Sequence, residues 1–348
     1  MIQKRERLYL NIVKGIAVFL MLWGHCIQFC ANGVFDVFEN STFQFIYSFH
    51  MPLFMLVSGY LFYFSYEKRD LKTLLIHRTQ GMLQPIVFAS MLNTFLMELP
   101  TVILHGGVQF TNGKLFTGFY TMWFLWCVLS CSTAVALAGK LARNSWSRLL
   151  LIVCGVFLVA LFPENHYHVY MYPYFVAGFY YGMYRNRIPG WLKKCAWLSL
   201  AVFPMLLTRY ESWHLIYVSP IYSPQWDLLP MLQLNGFRWM IGFAGSLFVL
   251  VITDFAVKLF AGRKKIPAAL TMLAKLGENS LAIYCISVSL LSHYLMKIFD
   301  RFGQVTSWNL TLYNYVMTPL IALAYAVGLY VVVQLLKKWK VHNFIFGR

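Results

Sequence analysis

Charge is scarce in this sequence. Only 12% of its 348 residues are Asp, Glu, Lys or Arg, and acidic residues number 12 against 29 basic ones. Beside 59% hydrophobic and 18% aromatic residues, so little charge excludes a soluble domain of this size and predicts an integral membrane protein. No internal repeat and no low-complexity tract is visible, which argues against a transporter assembled from duplicated halves. No Cys-x-x-Cys occurs among the seven cysteines. Cys26 and Cys30, like Cys127 and Cys131, share a helix face, but small cysteines commonly fill apolar helices, so no metal site is expected. The first apolar stretch lacks a small-residue cleavage site and reads as a retained anchor, and no water-soluble domain is appended to the single domain 1–348.

What is present is a series of apolar runs, each near the length that spans a hydrocarbon core. They fall at 8–29, 42–64, 80–104, 118–139, 147–163, 170–184, 192–209, 235–257, 279–298 and 311–336. Backbone groups facing lipid must be satisfied within their own segment, so an all-α bundle of about ten transmembrane helices is predicted. The connecting segments alternate in charge. Of the 29 Lys and Arg, Lys114, Arg209, Lys297 and Arg301 fall on one side, Lys14 and Arg238 lie within spans, and the remaining 23 fall on the other side. Positive residues concentrate on the cytoplasmic face, which places both termini there. The net charge of +17 is therefore read as this bias together with attraction to anionic membrane lipid, and no nucleic-acid partner is expected. The longest outer loop, near 210–234, carries Trp213, His214, Tyr217, Pro220, Pro224, Trp226 and Pro230, and suits an interfacial or re-entrant cover.

Ionisable groups inside apolar spans are costly and mark sites of function by default. Lys14 and His25 share the first span, about 16 Å apart along a helix. His50 opens the run Phe49-His50-Met51-Pro52-Leu53-Phe54, on a span of opposite direction, so it falls in the same outer layer as His25. Glu98, Trp123 and Arg238, each near the outer end of its helix, join that layer, while Lys14 and Arg78 lie toward the inner face. A cationic inner mouth suits a phosphate-bearing donor, and a neutral histidine can take a proton from a hydroxyl. The pattern describes acyl transfer from a cytoplasmic coenzyme A thioester to an alcohol on the far side. Outer aromatic residues, Tyr120, Trp123, Tyr167, Tyr170, Tyr172, Trp213 and Trp226, suit sugar stacking and an interfacial belt equally.

At these residues the chain resembles a known family. Asn11-Ile12-Val13-Lys14-Gly15-Ile16, followed by Gly24-His25, resembles the first-helix signature of the membrane acyltransferase-3 family, in which a basic residue is followed after ten others by histidine. The Phe49–Phe54 run, with Ser58-Gly59-Tyr60-Leu61-Phe62 behind it, is similar to the second-helix signature, particularly of the fucose-4-O-acetylase-like branch. Further matches are Arg78 and Pro85, Trp123-Phe124-Leu125, Phe175 with Gly178, and Leu276-Gly277-Glu278-Asn279-Ser280-Leu281-Ala282-Ile283-Tyr284.

The resemblance implies a ten-helix enzyme of a bacterial cytoplasmic membrane that moves an acyl group, usually acetyl, from acyl-coenzyme A to a hydroxyl of an envelope carbohydrate or glycolipid. Carried over residue by residue, His25 is the catalytic base, Lys14 and Arg78 bind the acyl-coenzyme A, and His50, Trp123, Asn279 and Tyr284, which lie in the matched motifs, serve the acceptor or support the site; Glu98 and Arg238 join that last group by their place in the outer layer alone. Acetyl-coenzyme A is the expected co-substrate, without a metal, and the sequence leaves self-association open. Three positions depart from the pattern: Lys14 stands where many members have Arg, Gly81 where a second arginine is expected, and Ser287 where many relatives of this branch have histidine. Two mechanisms stay open at this point, direct transfer through a ternary complex and an acyl-histidine intermediate with ping-pong kinetics. A transporter and a non-catalytic partner of polysaccharide export are the competing readings.

Overall fold

The computed structural model describes residues 4–31, 35–105, 118–162, 165–222, 227–260, 266–290 and 309–346, and among them every regular element is helical. In chain order these are α1 (Lys4–Cys30), α2 (Ser41–Tyr47), α3 (His50–Lys68), α4 (Leu71–His105), α5 (Trp123–Leu141), α6 (Ser145–Val159) and α7 (Asn165–Tyr184). They continue with α8 (Gly190–Leu207, tightening to a 3-10 turn at Ala196–Leu198), α9 (Leu228–Leu259), α10 (Ala268–Glu278), α11 (Ser280–Leu290), α12 (Thr318–Lys338) and α13 (Val341–Phe346). Among the described residues seven helical stretches are long and apolar enough to cross a membrane: α1, α2 with α3, α4, α5, α8, α9, and α12 with the turn before it. The other predicted spans fall on α6, which has 15 residues, on the tyrosine-rich α7, and on α11. The predicted 279–298 stretch runs beyond Leu290 into positions outside the described residues, as does Trp226.

The predicted second span is broken. A proline ring clashes with the carbonyl four residues upstream in a continuous helix, and Pro52 therefore excludes helix through Ser48. The chain turns at Ser48 and Phe49, and α3 resumes with Pro52 in its first turn, where the missing N–H costs nothing. Upstream, Asn40 caps α2 by accepting from the N–H groups of Thr42 and Phe43 at 3.0 Å each, and its amide donates to Asn314 at 2.9 Å. Asn314 lies in a π-helical turn, Tyr313–Met317, whose Tyr313 hydroxyl donates to the Ile27 carbonyl at 2.7 Å. These bonds fix the His25 end of α1.

Two helix crossings set the frame of the bundle. Where α1 meets α10, a Cβ on Gly15 would overlap the Leu273 carbonyl, and one on Gly277 the Asn11 carbonyl. Where α3 meets α7, a Cβ on Gly59 would overlap the Phe175 carbonyl, and one on Gly178 the Leu56 carbonyl. Small residues allow backbones to touch, and apolar tails offer no competing hydrophobic drive, so dispersion at such contacts holds membrane helices together. At the Arg7 end a polar knot adds to this. Arg185, just after α7, donates to Glu6 of α1 at 2.7 Å and to the Tyr60 hydroxyl of α3 at 2.6 Å, and Tyr60 donates to Glu6.

Candidate active site

A cavity and an aromatic cluster adjoin along α1. The cavity has a volume of about 480 Å³, and its polar wall includes Arg7, Asn11, Lys14, Ser58, His77, Arg78 and Glu278. Arg7 stands exposed beside Glu278, 3.7 Å away, and the Arg78 guanidinium packs 4.7 Å above the Phe62 ring. The lining carries three permanent cations against one carboxylate, which suits a polyanionic ligand. Met21, Met51, Phe124 and Tyr284, all buried, also line it. Each of the first three adjoins a residue of an aromatic cluster built around Tyr47 and Tyr217. Met21 is one turn before His25, Met51 follows His50, and Phe124 follows Trp123.

Eleven residues make close to three helical turns, so Lys14 and His25 lie on one face of α1. Lys14 lines the cavity, and His25 belongs to the aromatic cluster, where its Nδ1 lies 3.3 Å from the Tyr47 hydroxyl and its ring stacks on Phe29 at 5.6 Å. Gly24 makes this approach feasible, since a Cβ there would stand 2.6 Å from Cε2 of Tyr47. The Tyr47 ring meets the His50 ring edge-on at 4.7 Å and the Tyr217 ring at 5.6 Å. Tyr217 in turn lies 5.7 Å from Tyr167 and 6.2 Å from Trp123, whose ring is 4.8 Å from Tyr167. His25, Tyr47, Trp123, Tyr167 and Tyr217 are all half-buried, so each ring of this cluster keeps part of its surface accessible.

His50 is buried and its Nδ1 faces the Ile46 carbonyl at 2.8 Å. A carbonyl only accepts, so Nδ1 carries the proton in the neutral ring and the lone pair sits on Nε2. At the helix break the Ile46 carbonyl has a long backbone bond, accepted from the Phe49 N–H at 3.5 Å, and takes the imidazole as its shorter partner.

The sequence-derived site residues thus divide. Lys14, Arg78 and Tyr284 line the cavity; His25 and His50 meet Tyr47, and Trp123 joins them through Tyr217. Glu98 is buried on α4 and is not part of the cavity wall. Asn279 ends α10, donating to the Lys275 carbonyl at 2.7 Å and accepting from Lys337 of α12 at 2.5 Å, while its neighbours Glu278 and Ser280 line the cavity. Arg238 is 1% exposed and its guanidinium is enclosed by carbonyls of the 213–220 segment. Of the outer aromatics, Tyr172 instead donates to the Ile152 carbonyl at 2.5 Å, and Tyr170 is buried against Tyr174. Ser287 is fully buried and bonds the Tyr284 carbonyl of its own helix at 2.9 Å, while Gly81 faces open space. Among the described residues no group of three or more His, Cys, Asp or Glu is placed to hold a metal ion. Sequence reasoning missed Tyr47, Asn11, Ser58 and His77. For Tyr47 the available signal was Gly24 beside His25, since a small residue next to a site residue marks a close approach.

A family comparison classifies the chain. The sequence model described as Acyltransferase domain matches residues 7–338, nearly the whole chain. The protein belongs to this acyltransferase family and is a multi-pass membrane protein. Similar curated proteins include the nodulation protein NolL of Sinorhizobium fredii (strain NBRC 101917 / NGR234), 33% identical over 180 residues, covering 49% of this chain and 47% of that protein. Nodulation protein NolL of Mesorhizobium japonicum (strain LMG 29417 / CECT 9101 / MAFF 303099) is 26% identical over 203 residues, covering 57% of this chain and 52% of its own. The chain thus matches about half the length of these relatives. No solved structure matches it.

Proposed function

We propose that this protein is a membrane-bound O-acetyltransferase that moves acetyl from acetyl-coenzyme A to a hydroxyl of a carbohydrate or glycolipid. The observation that carries this reading is a cationic cavity around Lys14 and Arg78 adjoining an aromatic cluster around His25. The donor enters from the Arg7 end, which the charge bias makes cytoplasmic in a bacterial plasma membrane. Its phosphates meet Arg7, Lys14 and Arg78, and its flexible arm runs along α1 toward Met21, a rise of roughly 21 Å from Arg7.

The acceptor lies against the aromatic cluster. If the Tyr47 hydroxyl accepts from Nδ1 of His25, the His25 lone pair is left on Nε2, poised to take the acceptor hydroxyl proton. That oxygen attacks the thioester carbonyl, the C–S bond breaks, and the proton is handed on to the departing thiolate. His25 therefore acts as base and then acid, with Tyr47 fixing its tautomer.

Purified protein in lipid nanodiscs, supplied with acetyl-coenzyme A and a panel of glycosides, tests this through thiol release. H25A is expected to lower turnover about 10²-fold or more, and Y47F roughly tenfold. K14A and R78A should chiefly raise the donor KM. Thiol release indifferent to H25A would sink the assignment, as would uptake of a solute without loss of thioester.

A further inference from the structure

One guanidinium organises the cover of the aromatic cluster. Arg238 Nε donates to the His214 carbonyl at 2.7 Å; Nη2 donates to the carbonyls of Ser219 at 2.8 Å, Trp213 at 3.1 Å and Leu215 at 3.3 Å. Its Nη1 donates to Asn235 Oδ1 at 3.1 Å and to the Pro220 carbonyl at 3.4 Å, and the Asn235 amide donates to the Ile221 carbonyl at 2.6 Å. Among the described residues no carboxylate pairs with it, so carbonyl dipoles of one segment offset a buried charge. Such a centre is expensive to assemble and holds the segment in a single conformation. Two of the bound carbonyls, Leu215 and Ser219, flank Tyr217 by two residues on each side. The bonds that occupy Arg238 thereby fix the ring that leans on Tyr47, Tyr167 and Trp123.

We infer that the 210–222 segment is the acceptor-binding wall of the aromatic cluster, that Tyr217 stacks on a sugar ring of the acceptor, and that Arg238 is a positioning residue acting through this segment alone. The inference rests on the acyl-transfer reading and deepens it by naming the acceptor contact. Flat aromatic faces match the C–H face of a pyranose, and half-buried rings around a histidine leave the sugar hydroxyls directed at the base. The guanidinium has no donor left for the acceptor, so its effect on binding is indirect.

The test uses full-length protein in nanodiscs with p-nitrophenyl hexosides and 6-deoxyhexosides, measuring donor and acceptor KM by thiol release. Y217A and R238Q are each expected to raise the glycoside KM roughly tenfold, the loss of one aromatic contact, with the acetyl-coenzyme A KM unchanged. R238K should recover part of the loss, and the Y217A/R238Q double variant should be no worse than the weaker single one, because both act through one contact. Additive losses, or equal changes in donor and acceptor KM, would overturn the inference. Glycoside quenching of tryptophan fluorescence supplies a readout free of turnover, and thermal melting excludes an unfolded R238Q. Quenching that requires Tyr217 without any thiol release would retain the wall and defeat the acyl-transfer reading. Turnover with a KM indifferent to Y217A would do the reverse, and neither quenching nor turnover would defeat both.

Discussion

At residue 50 an imidazole does the work that a backbone amide does elsewhere. Its Nδ1 donates to the Ile46 carbonyl at 2.8 Å, a weakly bonded group where Pro52 interrupts the helix, and its ring supports Tyr47. H50A would leave the Ile46 carbonyl with only its long backbone bond from the Phe49 N–H and open a void, and is expected to cost about 2–4 kcal/mol in thermal or denaturant melts. H50N keeps a donor near the Nδ1 position and should restore part of that stability together with most of the turnover. Collapse of turnover in a fully folded H50N would instead put Nε2 in the chemistry. The residue type and its place beside Pro52 were legible in the sequence; the carbonyl it serves was not, because that carbonyl becomes available only once the chain has turned. Arg238 teaches the same lesson with a different outcome. An arginine at a span edge reads as a ligand for an acidic group, yet a folded loop supplies carbonyls to surround it.

At the scale of helices, the motif glycines are crossing points. Gly15 with Gly277 and Gly59 with Gly178 let backbones touch on either side of the cavity, and Lys14 and Ser58, one residue before two of them, are thereby aimed into it. Gly81, also within a helix, meets open space. G15A and G59A are therefore expected to destabilise by about 1–3 kcal/mol through overpacking, whereas G81A should stabilise by about 0.5–1 kcal/mol through helix propensity. Melting temperatures of the three variants in one detergent check this, and a destabilising G81A would show that something packs there. The sequence showed these glycines as parts of short motifs without showing which pairs meet. Partners more than a hundred residues apart are chosen by the bundle, and nothing local encodes them.

For the whole molecule, the composition decides the solvent and the charge bias predicts the orientation. Cys195 lies exposed on α8 beside Lys193 and Lys194, on the side that this bias makes cytoplasmic. In a C154S background, which removes the other exposed cysteine, a membrane-impermeant maleimide is expected to label Cys195 in inverted vesicles and not in intact spheroplasts. Labelling in spheroplasts would reverse the orientation and, with it, the side from which the donor arrives. By itself the sequence determined that the chain is helical and membrane-embedded, and it placed Lys14 and His25 on one face of one helix. Those properties follow from hydropathy and helical period, which are local. Only the tertiary structure decided that Tyr47 stands against His25, that Arg238 serves a loop, and that a cationic cavity adjoins an aromatic cluster. Each of these depends on which faces of distant helices pack together, a choice made by backbone contacts and buried hydrogen bonds that exist only in the assembled bundle.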